Sequence, residues 1–297
     1  MPNEILIKTV LNKTKQRDPW FLDDYTVNPY SACSFNCLYC YIRGSKYGEH
    51  MEERLAVKIN ALEILEKQLA ARAKKHQYGY IVLSSATDPY LQVESKYELT
   101  RKLLETIHHY KFPVHIITKS ELVTRDFDLL HEIKKDAILP TDLETTGIAK
   151  VFITFSFSTL DDQVGKIFEP GAPAPTKRIG ALEQSLINGF HSGVSLMPLL
   201  PYITDTEEQL HNLFRTFQQL GVRYIFPASI TLFGAGPHDS KPLMLTAIKK
   251  HYPHLEEKYK ELFTHGTQPP SWYRNAFNAK VRGISERYGI KNNLLPG

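Results

Sequence analysis

The chain has 297 residues, 42% hydrophobic and 23% charged, and 36 basic against 32 acidic side chains leave a net charge of +4. That composition excludes a chain too poor in apolar residues to fold, and the length allows one large α/β domain or two modest ones. Three cysteines close no disulfide set, no window approaches eighteen apolar residues, and "MPNEILIKTV" lacks a signal-peptide core, so a cytoplasmic protein without a membrane partner is expected.

The first distinctive stretch is "NPYSACSFNCLYCYIRGSKYG", residues 28–48, which holds all three cysteines, Cys33, Cys37 and Cys40. Residues 49–76 follow with Leu55, Ile59, Leu62, Leu65 and Leu69 at three- and four-residue spacing, which reads as one long helix. "YIVLSSATD" is a strand, "ELTRKLLETIHHY" a helix, "VHIITKS" a strand and "DFDLLHEIKK" a helix. "DLETTGIA" (residues 142–149) is a loop, then "VFITFSFST" is a strand and "TKRIGALEQSLINGF" a helix. "VSLMPLL" is a strand, and "TDTEEQLHNLFRTFQQLG" a helix with Asp205 and Glu208 at capping-box spacing and Gly221 at its end. "VRYIFPASITLF" is the last strand.

Strands rich in Val, Ile and Phe alternating with helices imply a parallel sheet with helical crossovers. With one strand leading into Cys33 there are about six βα units, and no Gly-x-Gly-x-x-Gly opens a helix, so a partial or complete barrel fits better than a doubly wound sheet. Polar residues gather where strands end: Ser84, Ser85, Thr87 and Asp88; Thr118, Lys119 and Ser120; Ser156 and Ser158. Each alone is a cap or turn residue, but in a barrel this level is where chemistry sits. From "FGAGPHDSKP" onward the alternation stops and a helical, aromatic-rich extension follows. The division expected is an N-terminal segment 1–26, a core 27–235 and a C-terminal extension 236–297.

Four uses of the three thiols compete. Buried structural cysteines would be scattered among strands. A structural zinc site needs four ligands, and His50 is the candidate fourth. A catalytic thiol needs one cysteine and a base. An iron–sulfur cluster is held by thiolates, and three of them on a four-iron cluster leave one iron open to bind another molecule.

The Cys-x-x-x-Cys-x-x-Cys spacing, with aromatic Tyr39 before the last cysteine, resembles the radical S-adenosylmethionine (SAM) superfamily. More closely, "NPYSACSFNCLYCYIR", "SSATDPY", "PVHIITKS", "ITFSFST", "FEPGAPAPTKRI" and "LMPLLP" resemble the spore photoproduct lyase family, from about residue 28 to 234. The resemblance implies an α/β fold, a partial (β/α)6 TIM-like barrel with a C-terminal helical extension. It implies a 4Fe-4S cluster on Cys33, Cys37 and Cys40 whose fourth iron chelates SAM. It places Asp88, helped by Thr87, at the SAM ammonium, Lys119 at its carboxylate, Ser156 in contact with it, and the backbone at Met197 and Leu199 along the adenine. The implied activity is reductive cleavage of SAM to a 5′-deoxyadenosyl radical that repairs the spore photoproduct, 5-thyminyl-5,6-dihydrothymine, in DNA. The implied partners are lesion DNA or a dinucleotide and an electron donor such as a flavodoxin or ferredoxin. Residues 169–175 are either a rigid turn or a lid over the site.

One departure stands out. Ala86 occupies the place where spore photoproduct lyase has a cysteine that returns a hydrogen atom, and the chain has no fourth cysteine. Tyr41, next to the last ligand, is the candidate hydrogen donor, or the substrate is another nucleoside or a small molecule. The C-terminal stretch from residue 271 carries the whole charge surplus, with Arg274, Lys280, Arg282, Arg287 and Lys291 against Glu286. It reads either as a nucleic-acid surface or as an amphipathic helix packing through Trp272, Ala276, Ala279, Ile284 and Tyr288.

Overall fold

The computed structural model describes residues 2–45, 51, 54–83 and 85–295, so Ser84 and His50 lie outside the described residues. The strands are β1 (Asn3–Ile5), β2 (Leu11–Lys13), β3 (Tyr25–Val27), β4 (Tyr30–Ser31), β5 (Ala56–Lys58), β6 (Ile81–Leu83), β7 (Val114–Thr118), β8 (Val151–Ser156), β9 (His191–Leu199) and β10 (Ile225–Ser229). The helices are α1 (Ala61–Ala73), α2 (Glu94–Tyr97), α3 (Leu99–His109), α4 (Phe127–Asp136), α5 (Asp162–Phe168), α6 (Pro175–Ile187), α7 (Glu207–Leu220), α8 (Ser240–His251), α9 (Glu256–Leu262) and α10 (Ser271–Tyr288).

The main sheet runs β10-β9-β8-β7-β6-β3-β2. Its first six strands are parallel, and β2 is antiparallel to β3. This is the α/β class with six parallel strands that the alternation implies. Apolar strand residues such as Ile116, Ile153, Phe155 and Val194 are fully buried, each contributing about 1.5–3 kcal/mol. In the register, Thr118 pairs with Phe155 and Ser156 with Ser195, so the polar strand ends sit level with one another. A small second sheet, β1-β5-β4, lies beside the cysteine stretch.

Three sequence expectations change. Among the described residues of 49–76, helix begins only at Ala61; Ala56–Lys58 is strand β5, whose pairing with both β1 and β4 outweighs local spacing. The capping-box reading at Asp205 fails because Thr206 is the N-cap, its hydroxyl accepting from the Gln209 amide at 3.3 Å. Asp205 instead accepts from the Tyr273 hydroxyl at 2.6 Å and the Tyr202 amide at 2.7 Å. On α10 the buried stripe is Tyr273, Phe277, Val281, Ile284 and Ser285, while Trp272 is 62% exposed and Ala276 and Ala279 face solvent. The helix does pack as an amphipathic element, against α7, but through a face rotated by one residue. Helix α7 ends as expected at Gly221, whose φ of 79° is the left-handed value a helix stop needs.

Strands β10 and β2 are the two edges of the main sheet and do not pair with each other. Near the start of β10 the space between them is bridged by rings. Trp20 stacks on Phe226 at 5.7 Å, and Phe21 meets the same ring edge-on at 5.7 Å. Beneath them a buried polar chain fixes the floor. His115 Nδ1–H donates to the Phe21 carbonyl at 2.8 Å, its Nε2 accepts from Thr154 at 2.6 Å, and the Tyr224 hydroxyl lies 2.7 Å from Thr154. The carbonyl partner makes Nδ1 the donor, and burial keeps the ring neutral. Among the described residues no helix is long and apolar enough to cross a membrane.

Burial pulls the His115 pKa down to about 4. The folded state therefore resists a proton that the unfolded chain accepts at about 6.5, and stability falls as pH drops through that window. Between pH 7.5 and 4.5 the loss through this group is about 2.5 kcal/mol. Urea unfolding of the wild type and His115→Gln at both pH values should show a shallower acid decline in the variant; equal declines would rule out this role for His115.

Candidate functional site

The cysteine loop leaves β4 and winds tightly. Ala32 and Asn36 adopt positive φ of 59° and 52°, conformations that Asn tolerates better than most residues. The Asn36 amide donates to the Cys33 carbonyl at 3.3 Å, Cys40 to Cys37 at 3.2 Å, and Arg43 to Cys40 at 3.0 Å. These turns direct all three thiols to one wall of a cavity of about 470 Å³. Backbone amides of Phe35 and Asp88 are aimed at the Cys33 sulfur, and those of Ile42 and Arg43 at Cys40. Burial raises all three thiols, Cys33 to about 12, so these sites stay protonated until a metal displaces the proton.

Two braces hold the loop. Arg43 is buried, and its guanidinium donates to the Cys37 carbonyl at 3.0 Å, the His238 carbonyl at 2.9 Å and the Asn36 side chain. On the other side residues 168–171 dock beneath it. The Leu38 amide donates to the Phe168 carbonyl at 2.9 Å, and Gly171 to Phe35 at 3.0 Å. A Cβ at Gly171 would sit 2.2 Å from the Ser34 carbonyl, so only glycine permits this approach. Glu169 is fully buried below the cysteines, paired with Arg178 and accepting from Tyr39 and, at 2.8 Å, from Ser158. Residues 169–175 are therefore a docked turn and not a lid.

Facing the thiols, the expected strand-end residues converge. Thr87, Asp88, Lys119, Ser156 and Met197 all line the cavity, as do Tyr41, Ser85, Ala86 and Thr118. Asp88 fastens β6 to β7: its carboxylate accepts from the Tyr90 amide at 2.9 Å, Thr118 at 2.7 Å and the Lys119 amide at 2.8 Å. Burial nevertheless raises its pKa, outweighing those donors. Thr87 donates to the Ala32 carbonyl at 2.6 Å, tying the strand end to the cysteine loop. Tyr41 is 59% exposed at the cavity rim and its hydroxyl donates to the Ser85 carbonyl. Asn28 steadies that segment, donating to Ser85 at 2.7 Å and accepting from the Ala86 amide at 3.0 Å.

Other expected residues fall elsewhere. Leu199 is fully buried in the core and does not line the cavity, Ser158 faces Glu169, and Ser120 caps the short helix after β7. The sequence reading missed Ser195 and Ser229, which line the cavity from β9 and β10; the Ser229 hydroxyl is buried without a partner among the described residues. It also missed Arg43 and Arg178. Nothing in the linear sequence marks a buried arginine apart from its nearness to a motif.

Comparison with known proteins adds an independent view. The Radical SAM superfamily profile matches residues 27–214. An uncharacterized protein of Mycobacterium tuberculosis is 26% identical over 301 residues, 99% of this chain and 83% of the relative. A radical SAM Nalpha-GlyT isomerase of Pseudomonas phage M6 is 22% identical over 248 residues, 83% of this chain and 47% of the relative. Among solved structures, a spore photoproduct lyase mutant with bound AdoMet and dinucleoside spore photoproduct matches with a TM-score of 0.62 at 17% identity. That match covers 96% of this chain and 79% of that one. At such identity the likeness speaks for the fold alone.

Gly171→Ala should push the docked turn away from the cysteine loop. Iron and sulfide bound after anaerobic reconstitution should fall by about half or more, with far-ultraviolet circular dichroism unchanged. Full metal content in the variant would show that this contact does not seat the thiols.

Proposed function

Because the chain belongs to the radical SAM superfamily, we propose that it binds a 4Fe-4S cluster and SAM and acts on the spore photoproduct in DNA. The observation that carries the reading is the meeting of three thiols with Asp88, Lys119 and Ser156 around one cavity. The donor set fits the cluster: soft thiol ligands on one wall, with backbone N–H groups aimed at sulfur to offset thiolate charge. When bound, the cluster supplies the electron that cleaves SAM to a 5′-deoxyadenosyl radical.

The chain's own residues bind, orient and shield. Asp88 has three lone-pair positions filled by the protein and keeps about one for a ligand ammonium. The Lys119 ammonium on the wall suits a ligand carboxylate, while Thr87, Ser156, Met197 and Pro198 flank the remainder. The Tyr41 hydroxyl, the phenol at the rim, is the proposed source of the hydrogen atom returned to the repaired base. An electron donor such as a flavodoxin or ferredoxin completes the scheme.

A second reading, another nucleoside or a small molecule as substrate, draws on Ala86. It lines the cavity where spore photoproduct lyase has its hydrogen-donating cysteine. A relative named for action on Nalpha-GlyT points the same way.

One anaerobic assay separates the two readings. Reconstituted protein, SAM and dithionite are incubated with the spore-photoproduct dinucleotide, and mass spectrometry follows 5′-deoxyadenosine and thymidylyl-thymidine. Both should form, and Tyr41→Phe should lower repair by about tenfold while SAM cleavage persists. Deoxyadenosine without repair would move the substrate to the second reading; neither product would refute the radical SAM assignment of function.

A further inference from the structure

Glu169 does not line the cavity, yet four side chains, two of them from the cavity wall, converge on this one carboxylate. Its Oε1 accepts from the Tyr39 hydroxyl and, at 2.8 Å, from Ser158, and lies 3.8 Å from the Lys119 ammonium. Its other oxygen pairs with Arg178. Burial alone would neutralise the group; Lys119 and Arg178, with the hydrogen bonds, hold its pKa down to about 2. Arg178 is itself locked, donating to the Pro173 carbonyl at 2.8 Å and the Ser156 carbonyl at 3.1 Å.

The geometry at Lys119 is the telling part. A separation of 3.8 Å is beyond hydrogen-bond reach, so Glu169 attracts the ammonium without using its N–H donors. Two buried cations share the single Glu169 anion, and the second, Lys119, lies on the cavity wall. Tyr39, between ligands Cys37 and Cys40, is anchored to the same oxygen. We propose that Glu169 is a positioning residue that fixes the Lys119 ammonium and the Tyr39 ring together, so that seating of the cysteine loop and affinity for a ligand carboxylate are set by one buried charge. The ligand carboxylate is that of SAM, and in this respect the inference rests on the reading above.

The test is a double-mutant cycle on SAM binding, measured by anaerobic equilibrium dialysis of reconstituted protein. Wild type, Glu169→Gln, Lys119→Met and the double variant are compared, with iron content recorded for each. Glu169→Gln should lower the iron bound and, per cluster retained, weaken SAM binding about tenfold; on the same per-cluster basis the double variant should bind no worse than Lys119→Met alone. If the two losses multiply, Glu169 does not act through Lys119 and the proposal is overturned, whatever its effect on folding. Should the Gln variant not fold, Glu169→Asp takes its place in the cycle. It keeps the charge for Arg178 but draws the carboxylate back from Lys119, and the same non-additivity is required. If wild type binds no SAM, the function reading fails first and this inference with it; if it binds and the cycle is additive, only this inference fails.

Discussion

A carboxylate buried out of water is tolerated only where charge and hydrogen bonds replace its lost hydration, a penalty of several kcal/mol otherwise. Glu169 meets that condition with Arg178, Lys119, Tyr39 and Ser158, and these partners come from four separate places in the chain. Displacing any one of them weakens the compensation of this buried charge. The consequence is a rigid base under the cysteine loop. Gly171 presses against the backbone of that loop from the same turn, so charge pairing and close packing act on one segment.

The parallel sheet supplies what this base needs on its other side. Parallel strands in register bring the ends of β7 and β8, with Lys119 and Ser156, to one level, and the Asp88 carboxylate ties the loop after β6 to β7 where they face the thiols. Because the sheet is open between β10 and β2, the interior is reachable, and rings close it only at the base. The Trp20–Phe226–Phe21 contact and the His115–Thr154–Tyr224 chain form a floor that is apolar above and fully hydrogen-bonded below. A floor of this kind resists water without requiring a closed ladder of strands. A cavity with a dry end suits radical chemistry, in which water and stray hydrogen donors are competitors.

Where sequence reasoning held, the signal was local. The strand–helix alternation, the end of α7 at Gly221 and the grouped cysteines are each set by a few neighbouring residues, and the structure reproduces them. Where it failed, a distant partner decided. Residues 56–58 carry helical spacing but pair with two strands. Asp205 has a capping residue's chemistry but is taken by Tyr273 from α10. The apolar stripe of α10 could be drawn through Trp272 or Tyr273, and only the surface of α7 selects the latter.

The sequence by itself determined the class of fold, the thiol motif and the strand ends at which Thr87, Asp88, Lys119 and Ser156 stand, because periodicity and motif spacing are properties of consecutive residues. Tertiary structure alone decided that residues 169–175 are a base and not a lid, that Arg43 and Arg178 are buried, and that Leu199 belongs to the core. Those outcomes depend on which charges are removed from water together. A buried ion pair exists only once residues as far apart as Lys119, Glu169 and Arg178 have been folded into contact, and nothing in their separate neighbourhoods specifies it.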